Sequence, residues 1–143
     1  SGVTELKLPL RSKSIFQDNI EELFQLGAAT MHPNNKIKDY KKVSIKMKKL
    51  DDIKIENKIG FIKIDVEGHE LEVIKGAKNY INEYKPVLLV EIEKRHTNKS
   101  VDESINYIDK LGYECFYVKN DKLLSINRLL DKQTENNFIF VPK

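Results

Sequence analysis

The chain has 143 residues, 40% hydrophobic and 33% charged, with a formal net charge of +3. That length suits one domain burying roughly two-thirds of its unfolded surface, and the charge is too small to imply nucleic acid as a partner. No apolar run approaches the ~20 residues of a membrane span, so no membrane partner is expected, and the lone Cys115 rules out an internal disulfide and points to a reducing, cytoplasmic setting. No signal-peptide pattern opens the sequence. The start at Ser1-Gly2, without methionine, reads as a cut end.

Residues 3–8 alternate Leu6 and Leu8 with charged neighbours and predict a half-exposed strand that Pro9 ends. Residues 14–26 carry Ile15, Phe16, Ile20, Leu23 and Phe24 near helical spacing, with Gly27 as the stop. Residues 27–35 are small, polar and turn-rich, a loop in which His32 reads as an ordinary exposed histidine. Across residues 36–49, Val43, Ile45 and Met47 alternate with Ser44, Lys46 and Lys48, a strand with one wet, basic face. No aromatics interleave with those lysines to stack on bases, so they read as guards of an exposed sheet edge.

The stretch Ile59-Gly60-Phe61-Ile62-Lys63-Ile64-Asp65-Val66-Glu67-Gly68-His69-Glu70 is the centre of the chain. Alternation puts Phe61, Lys63, Asp65 and Glu67 on one face and Ile62, Ile64 and Val66 on the other. Apolar runs on both sides predict an interior strand, in which Lys63 and Asp65 must be paired to offset desolvation. After Gly68 the period changes. Leu71, Ile74, Ala77 and Ile81 predict one amphipathic helix, with Glu70 and Glu72 in its first turn at the positive end of the dipole. Pro86 stops it and opens a second apolar strand over residues 87–93. A helix joining two buried strands is a βαβ unit, so the strands are expected to be parallel, with their carboxyl ends pointing the same way.

Ser100 and Glu103 form a capping box for a helix that buries Ile105, Ile108 and Leu111 and ends before Gly112. Residues 113–119 predict a strand, Asn120-Asp121 a hairpin turn into Leu123, Leu124 and Ile126, and residues 138–141 a last strand.

Parallel pairing brings Asp65 and Glu67, ending one strand, beside Glu91 and Glu93, ending the next, with His69 and His96 just beyond. Open α/β sheets bind ligands outside the carboxyl ends of their strands. Three readings stay open. The cluster is a general-base site with Asp65 or a histidine tuned toward neutrality; or it holds a hard divalent cation; or Lys63, Arg95 and backbone amides neutralise it as a structural network. There is no Gly-x-Gly-x-x-Gly and no phosphate-binding Gly-Lys-Ser/Thr loop, and His69-Glu70 lacks the second histidine of a His-Glu-x-x-His site. Cys115 lies in an apolar, strand-like run and reads as core.

Leu50-Asp51-Asp52-Ile53, the run from Ile62 to Glu70, Leu71-Glu72-Val73-Ile74-Lys75-Gly76-Ala77 and Pro86-Val87-Leu88-Leu89-Val90-Glu91-Ile92 together resemble the FkbM-type methyltransferases. These are S-adenosylmethionine-dependent enzymes with a Rossmann-like sheet. The resemblance is dense over residues 50–93 and looser on either side. It implies an α/β fold: a partial Rossmann-like methyltransferase sheet, a parallel βαβ core followed by antiparallel strands. Residues 1–143 are then a single domain, the C-terminal portion of a methyltransferase domain. Residues 1–49 form a strand-helix-strand extension, and residues 50–143 the βαβα part plus the antiparallel strands.

The resemblance places Asp65 near the transferred methyl or the acceptor, with Asp65 or His69 as the base. Glu67, Gly68 and Glu70 shape the rim, Glu91 and His96 join it from the second strand, and residues 28–32 match an acceptor-side loop. No metal ligand is assigned. The implied reaction is in-line attack of a sugar or small-metabolite hydroxyl on the sulfonium methyl of S-adenosylmethionine.

The family's glycine-rich turn and acidic ribose contact, which bind that donor, are missing here. The chain therefore reads as a fragment, a naturally shortened protein, or one completed by a partner, and alone it is expected to be inactive. In the family sheet the first strand lies beside the fourth, so the central strand is left with an open edge that invites a homo-oligomer. Two other classes stand beside this one: a non-catalytic interaction module pairing through that edge, and a metal-dependent enzyme using the Asp/Glu/His cluster.

Overall fold

Proline, glycine and period changes cut the chain into short elements, and a computed structural model describes residues 2–9, 39–93, 101–128 and 135–143. The expectations for residues 14–26 and 27–35, and those for His32, Arg95, His96 and Ser100, lie outside the described residues. The chain divides into two units, residues 1–48 and 49–143.

In the first unit, β1 (Gly2–Pro9) and β2 (Tyr40–Met47) form an antiparallel ribbon, with Gly2 opposite Met47 and Pro9 opposite Tyr40. Of the alternation expected over residues 36–49, Val43 and Ile45 are half-buried while Ser44 and Lys46 are exposed, but Met47, expected on the apolar face, is exposed at the ribbon end opposite Gly2. Lys42 bridges to Glu5 at 2.7 Å, and the Lys7 ammonium lies 5.2 Å from the centre of the Tyr40 ring. Both contacts cross the ribbon on the diagonal, since Lys42 lies opposite Lys7 and Tyr40 opposite Pro9.

The second unit holds a five-stranded mixed sheet. Its strands are β3 (Phe61–Ile64), β4 (Val87–Glu91), β5 (Tyr113–Lys119), β6 (Lys122–Ser125) and β7 (Asn137–Pro142), in the order β3-β4-β7-β5-β6. β3 and β4 are parallel, with Ile64 opposite Val90, as a βαβ unit requires. The last strand, β7, inserts between β4 and β5 and runs antiparallel to both. Asn120 and Asp121 both take positive φ, 50° and 58°, which gives the β5–β6 hairpin a turn matched to strand twist.

One face of the sheet is packed. Ile64, Leu88, Val90, Phe138, Phe140, Tyr113 and Cys115 meet Ile74, Ala77 and Ile81 and, from the later helix, Val101, Ile105 and Ile108 in a single apolar cluster. Cys115 is thus core. The Tyr113 hydroxyl donates to the Pro86 carbonyl at 2.9 Å, and burial pushes it up to about 12. The opposite face is apolar yet partly open: the row Lys63, Leu89, Ile139, Phe116 runs across four strands, with exposed Phe61, Val118 and Leu123 around it.

Two expectations need correction. β3 is an edge strand among the described residues, not an interior one, and Phe61 is 54% exposed. The charges at Lys63 and Asp65 therefore mark the solvated face rather than a buried pair. Among the described residues, β3 is paired on one side only, by β4.

The helix after Gly68 is also two helices, α1 (Glu70–Gly76) and α2 (Lys78–Tyr84), separated at Ala77 with φ −114° and ψ 11°. The cause is a cap from a distant residue. Asp51, in the 3-10 turn Leu50–Asp52, accepts hydrogen bonds from the Asn79 and Tyr80 amides, each at 3.0 Å. Those amides open α2 and would otherwise be unsatisfied. α2 ends at Lys85 with φ 48°, and the Lys85 ammonium donates to the Leu111 carbonyl. α3 (Val101–Asp109) ends as expected: Gly112, at φ 86°, donates its amide to the Asp109 carbonyl at 2.8 Å.

Candidate functional site

β3 and β4 stop at Ile64 and Glu91, and their parallel pairing delivers the residues just beyond to one place. Asp65, Glu67, Gly68, Glu70, Glu91 and Glu93 line one concavity. Five of the six are carboxylates. The acidic residues expected to lie together from sequence spacing are therefore brought to one place, while His96 lies outside the described residues.

The concavity is small, about 10 Å³, room for a single water molecule. It sits above a turn with unusual backbone. Glu67 has φ 51° and Gly68 φ 95°, so two consecutive residues are left-handed between β3 and α1. For glycine that conformation is free; for glutamate it is strained. The Gly68 amide donates to Glu70 Oε1 at 2.8 Å, and the His69 carbonyl accepts the Val73 amide at 3.0 Å, starting α1.

Each carboxylate has a different environment. Lys63 Nζ donates to Asp65 Oδ2 at 2.7 Å across a solvated face, and this bond holds the Lys63 ammonium above its ordinary range. Glu70 is buried at 4% exposure. Glu93 accepts a hydrogen bond from Asn136 Nδ2 at 3.1 Å, and the neighbouring Ile92 amide donates to the Asn136 carbonyl at 2.7 Å. Glu91 is pushed above the usual carboxylate range, first by burial, then by the charges of Asp65 and Glu93; Lys63 opposes that rise and Glu67 adds to it.

His69 stands at the N-terminal boundary of α1 and its side chain makes no capping bond there. It is not among the residues that line the concavity. Next to the acids, on the open sheet face, lies a cavity of about 350 Å³ lined by Leu89, Val118, Glu135, Asn136, Asn137 and Ile139. Sequence reasoning missed this neighbour because β7 comes last in the chain, and nothing local says that it inserts beside β4. Among the described residues, no group of three or more His, Cys, Asp or Glu is placed to hold a metal ion. The cation reading of the cluster is not supported there.

A half-buried, acid-lined hollow at the carboxyl ends of two parallel strands is where an α/β enzyme places its ligand. A family model for the methyltransferase FkbM domain matches residues 10–115, so the chain belongs to the FkbM methyltransferase family. The crystal structure of an FkbM methyltransferase from Methylobacillus flagellatus KT is similar over 69% of this chain at 25% identity, with a TM-score of 0.46. The present chain spans 23% of that one. No curated protein matches it.

Proposed function

We propose that the acid-lined ends of β3 and β4 form one wall of a methyl-transfer site. In the complete protein, that site moves a methyl group from S-adenosylmethionine to a hydroxyl of a sugar or small metabolite. The observation that supports this best is the convergence of Asp65, Glu67, Glu91 and Glu93 on one hollow inside the stretch the family model matches. Asp65 is the group we assign to the reacting hydroxyl. Lys63 holds one of its oxygens, which leaves the second to accept the hydroxyl proton. A positioned base of this kind contributes about 10²–10⁴-fold to a rate. His69 is the weaker candidate, since its ring is not part of the lining.

The described residues do not fit S-adenosylmethionine as a complete seat. Their carboxylates attract a sulfonium cation, but a hollow of about 10 Å³ cannot enclose a nucleoside, and the chain has no Gly-x-Gly-x-x-Gly turn. The role proposed for this wall is therefore toward the acceptor. The lone cysteine suits a reducing compartment, and we place the protein in the cytoplasm on that ground.

The test is to incubate the complete protein with methyl-labelled S-adenosylmethionine and a panel of hydroxyl-bearing sugars and small alcohols. Label on an acceptor oxygen supports the proposal. Donor binding with no transfer to any acceptor would sink it.

A second reading rests on a separate observation, the position of β3 at the edge of the sheet among the described residues, with Phe61 exposed on it. An edge strand presents unpaired backbone groups to a partner strand. On this reading the chain pairs with another copy through β3, and pairing rather than catalysis is its role.

A further inference from the structure

We infer that Glu70 is a positioning residue that clamps the Glu67–Gly68 turn and so fixes how Glu67 and Asp65 present to the hollow. The inference rests on the proposed reading of this face as a reaction site. Its physical basis is local. Glu70 opens α1, where an acidic first-turn residue is commonly solvated, as Glu72 is; yet Glu70 is 4% exposed. A buried carboxylate is costly unless it is hydrogen-bonded. Its partner is the Gly68 amide, to which Glu70 Oε1 lies at 2.8 Å, a charge-assisted bond that spans the turn.

The turn needs that bond. Glu67, at φ 51°, sits in a conformation that glutamate avoids, and such strain persists only where the surroundings impose it. Gly68 at φ 95° follows directly, so the chain reverses over two left-handed residues before α1 begins. The Glu70 carboxylate holds the second of them from inside the fold. Without it, the turn loses its hold from Glu70, and the Glu67 carboxylate is expected to shift relative to Asp65 and Glu91, with which it lines the hollow. Glu70 also lines the hollow, but at 4% exposure the role inferred for it is through the turn that it holds.

The test uses E70A, E70Q, E67G and the double variant E67G/E70A. E70Q keeps an acceptor oxygen for the Gly68 amide, and E67G makes the left-handed turn favourable without a clamp. Amide exchange at Gly68 is expected to rise at least about tenfold in E70A and to stay within about threefold of wild type in E70Q. The loss in the folding equilibrium constant caused by E70A should shrink by at least about threefold in the E67G background, because the two residues act on one turn. In the complete protein, E70A should lower kcat by at least about tenfold with the donor KM unchanged, and E70Q should restore it.

Unchanged Gly68 exchange in E70A, an E70Q variant that behaves like E70A, or strictly additive effects of E67G and E70A would overturn the clamp. A wild-type transfer rate in E70A with raised Gly68 exchange would overturn the positioning role. The exchange and folding measurements need neither donor nor acceptor. A complete protein that transfers no methyl group would therefore defeat the proposed function and leave the clamp to be decided on its own evidence.

Discussion

Glu91 ends β4 among three other acids and a lysine, and its carboxyl is held above the ordinary range chiefly by burial, then by Asp65 and Glu93. A raised acid binds its proton more tightly in the folded chain than in the unfolded one. Its contribution to stability is therefore fully present below the ordinary value of 4.5 and is lost as pH rises through the folded value. At neutral pH the ionised Glu91 opposes folding. Glu91→Gln should raise stability at pH 7 by less than about 1 kcal/mol, the usual range for partly solvated charge interactions, and leave it unchanged near pH 4. Thermal unfolding of both proteins at the two pH values checks this; an equal gain at both would place the effect in packing instead. The acids themselves were readable from strand spacing, because the carboxyl ends of two parallel strands must lie together. Their inequality was not, since it depends on which side chains lose water and on Asn136, which approaches Glu93 from a distant part of the chain.

At the scale of elements, the break between α1 and α2 shows how a non-local cap overrides a local pattern. Leu71, Ile74, Ala77 and Ile81 do keep helical spacing, and all four are buried. That periodicity gave the right buried face, and the two seven-residue helices remain consistent with it. What it could not contain is Asp51, which lies 28 residues before Asn79 and offers its carboxylate to the start of α2. Asp51→Ala should destabilise the chain by about 1 kcal/mol, the typical loss on removing a helix cap. Chemical denaturation would register this as a lower midpoint at unchanged slope. No change in midpoint would mean that water replaces the cap at no loss. The strand assignments fared better where turn chemistry was local: Asn120, Asp121 and Gly112 take the left-handed conformations that their positions in the sequence suggested.

The whole molecule differs most from its sequence reading at β3. Charged residues alternating with isoleucines were consistent with either an interior strand holding a buried ion pair or an edge strand with a wet face, and only the position of neighbouring strands decides between them. Here β4 is its neighbour on one side, and the Lys63–Asp65 pair lies on the solvated face. A sheet edge open among the described residues, beside an apolar face, would on the second reading above lead to self-association. Light scattering over a range of concentrations should show a mass that rises with concentration and falls again in Phe61→Lys; a strict monomer throughout would remove the pairing-module reading. The same open architecture bears on the donor. The chain alone should bind S-adenosylmethionine weakly, and calorimetry that found micromolar affinity would mean that its residues form the seat after all.

The central claim is that the acid wall at the ends of β3 and β4 takes part in methyl transfer, with Asp65 at the reacting hydroxyl. The most direct measurement is turnover of the complete protein and its Asp65→Asn variant, with folding stability measured on the same preparations. The account predicts that turnover falls by about 10²-fold or more, while stability changes by less than about 1 kcal/mol, since the Lys63 pair is solvated. Turnover equal to wild type would contradict it.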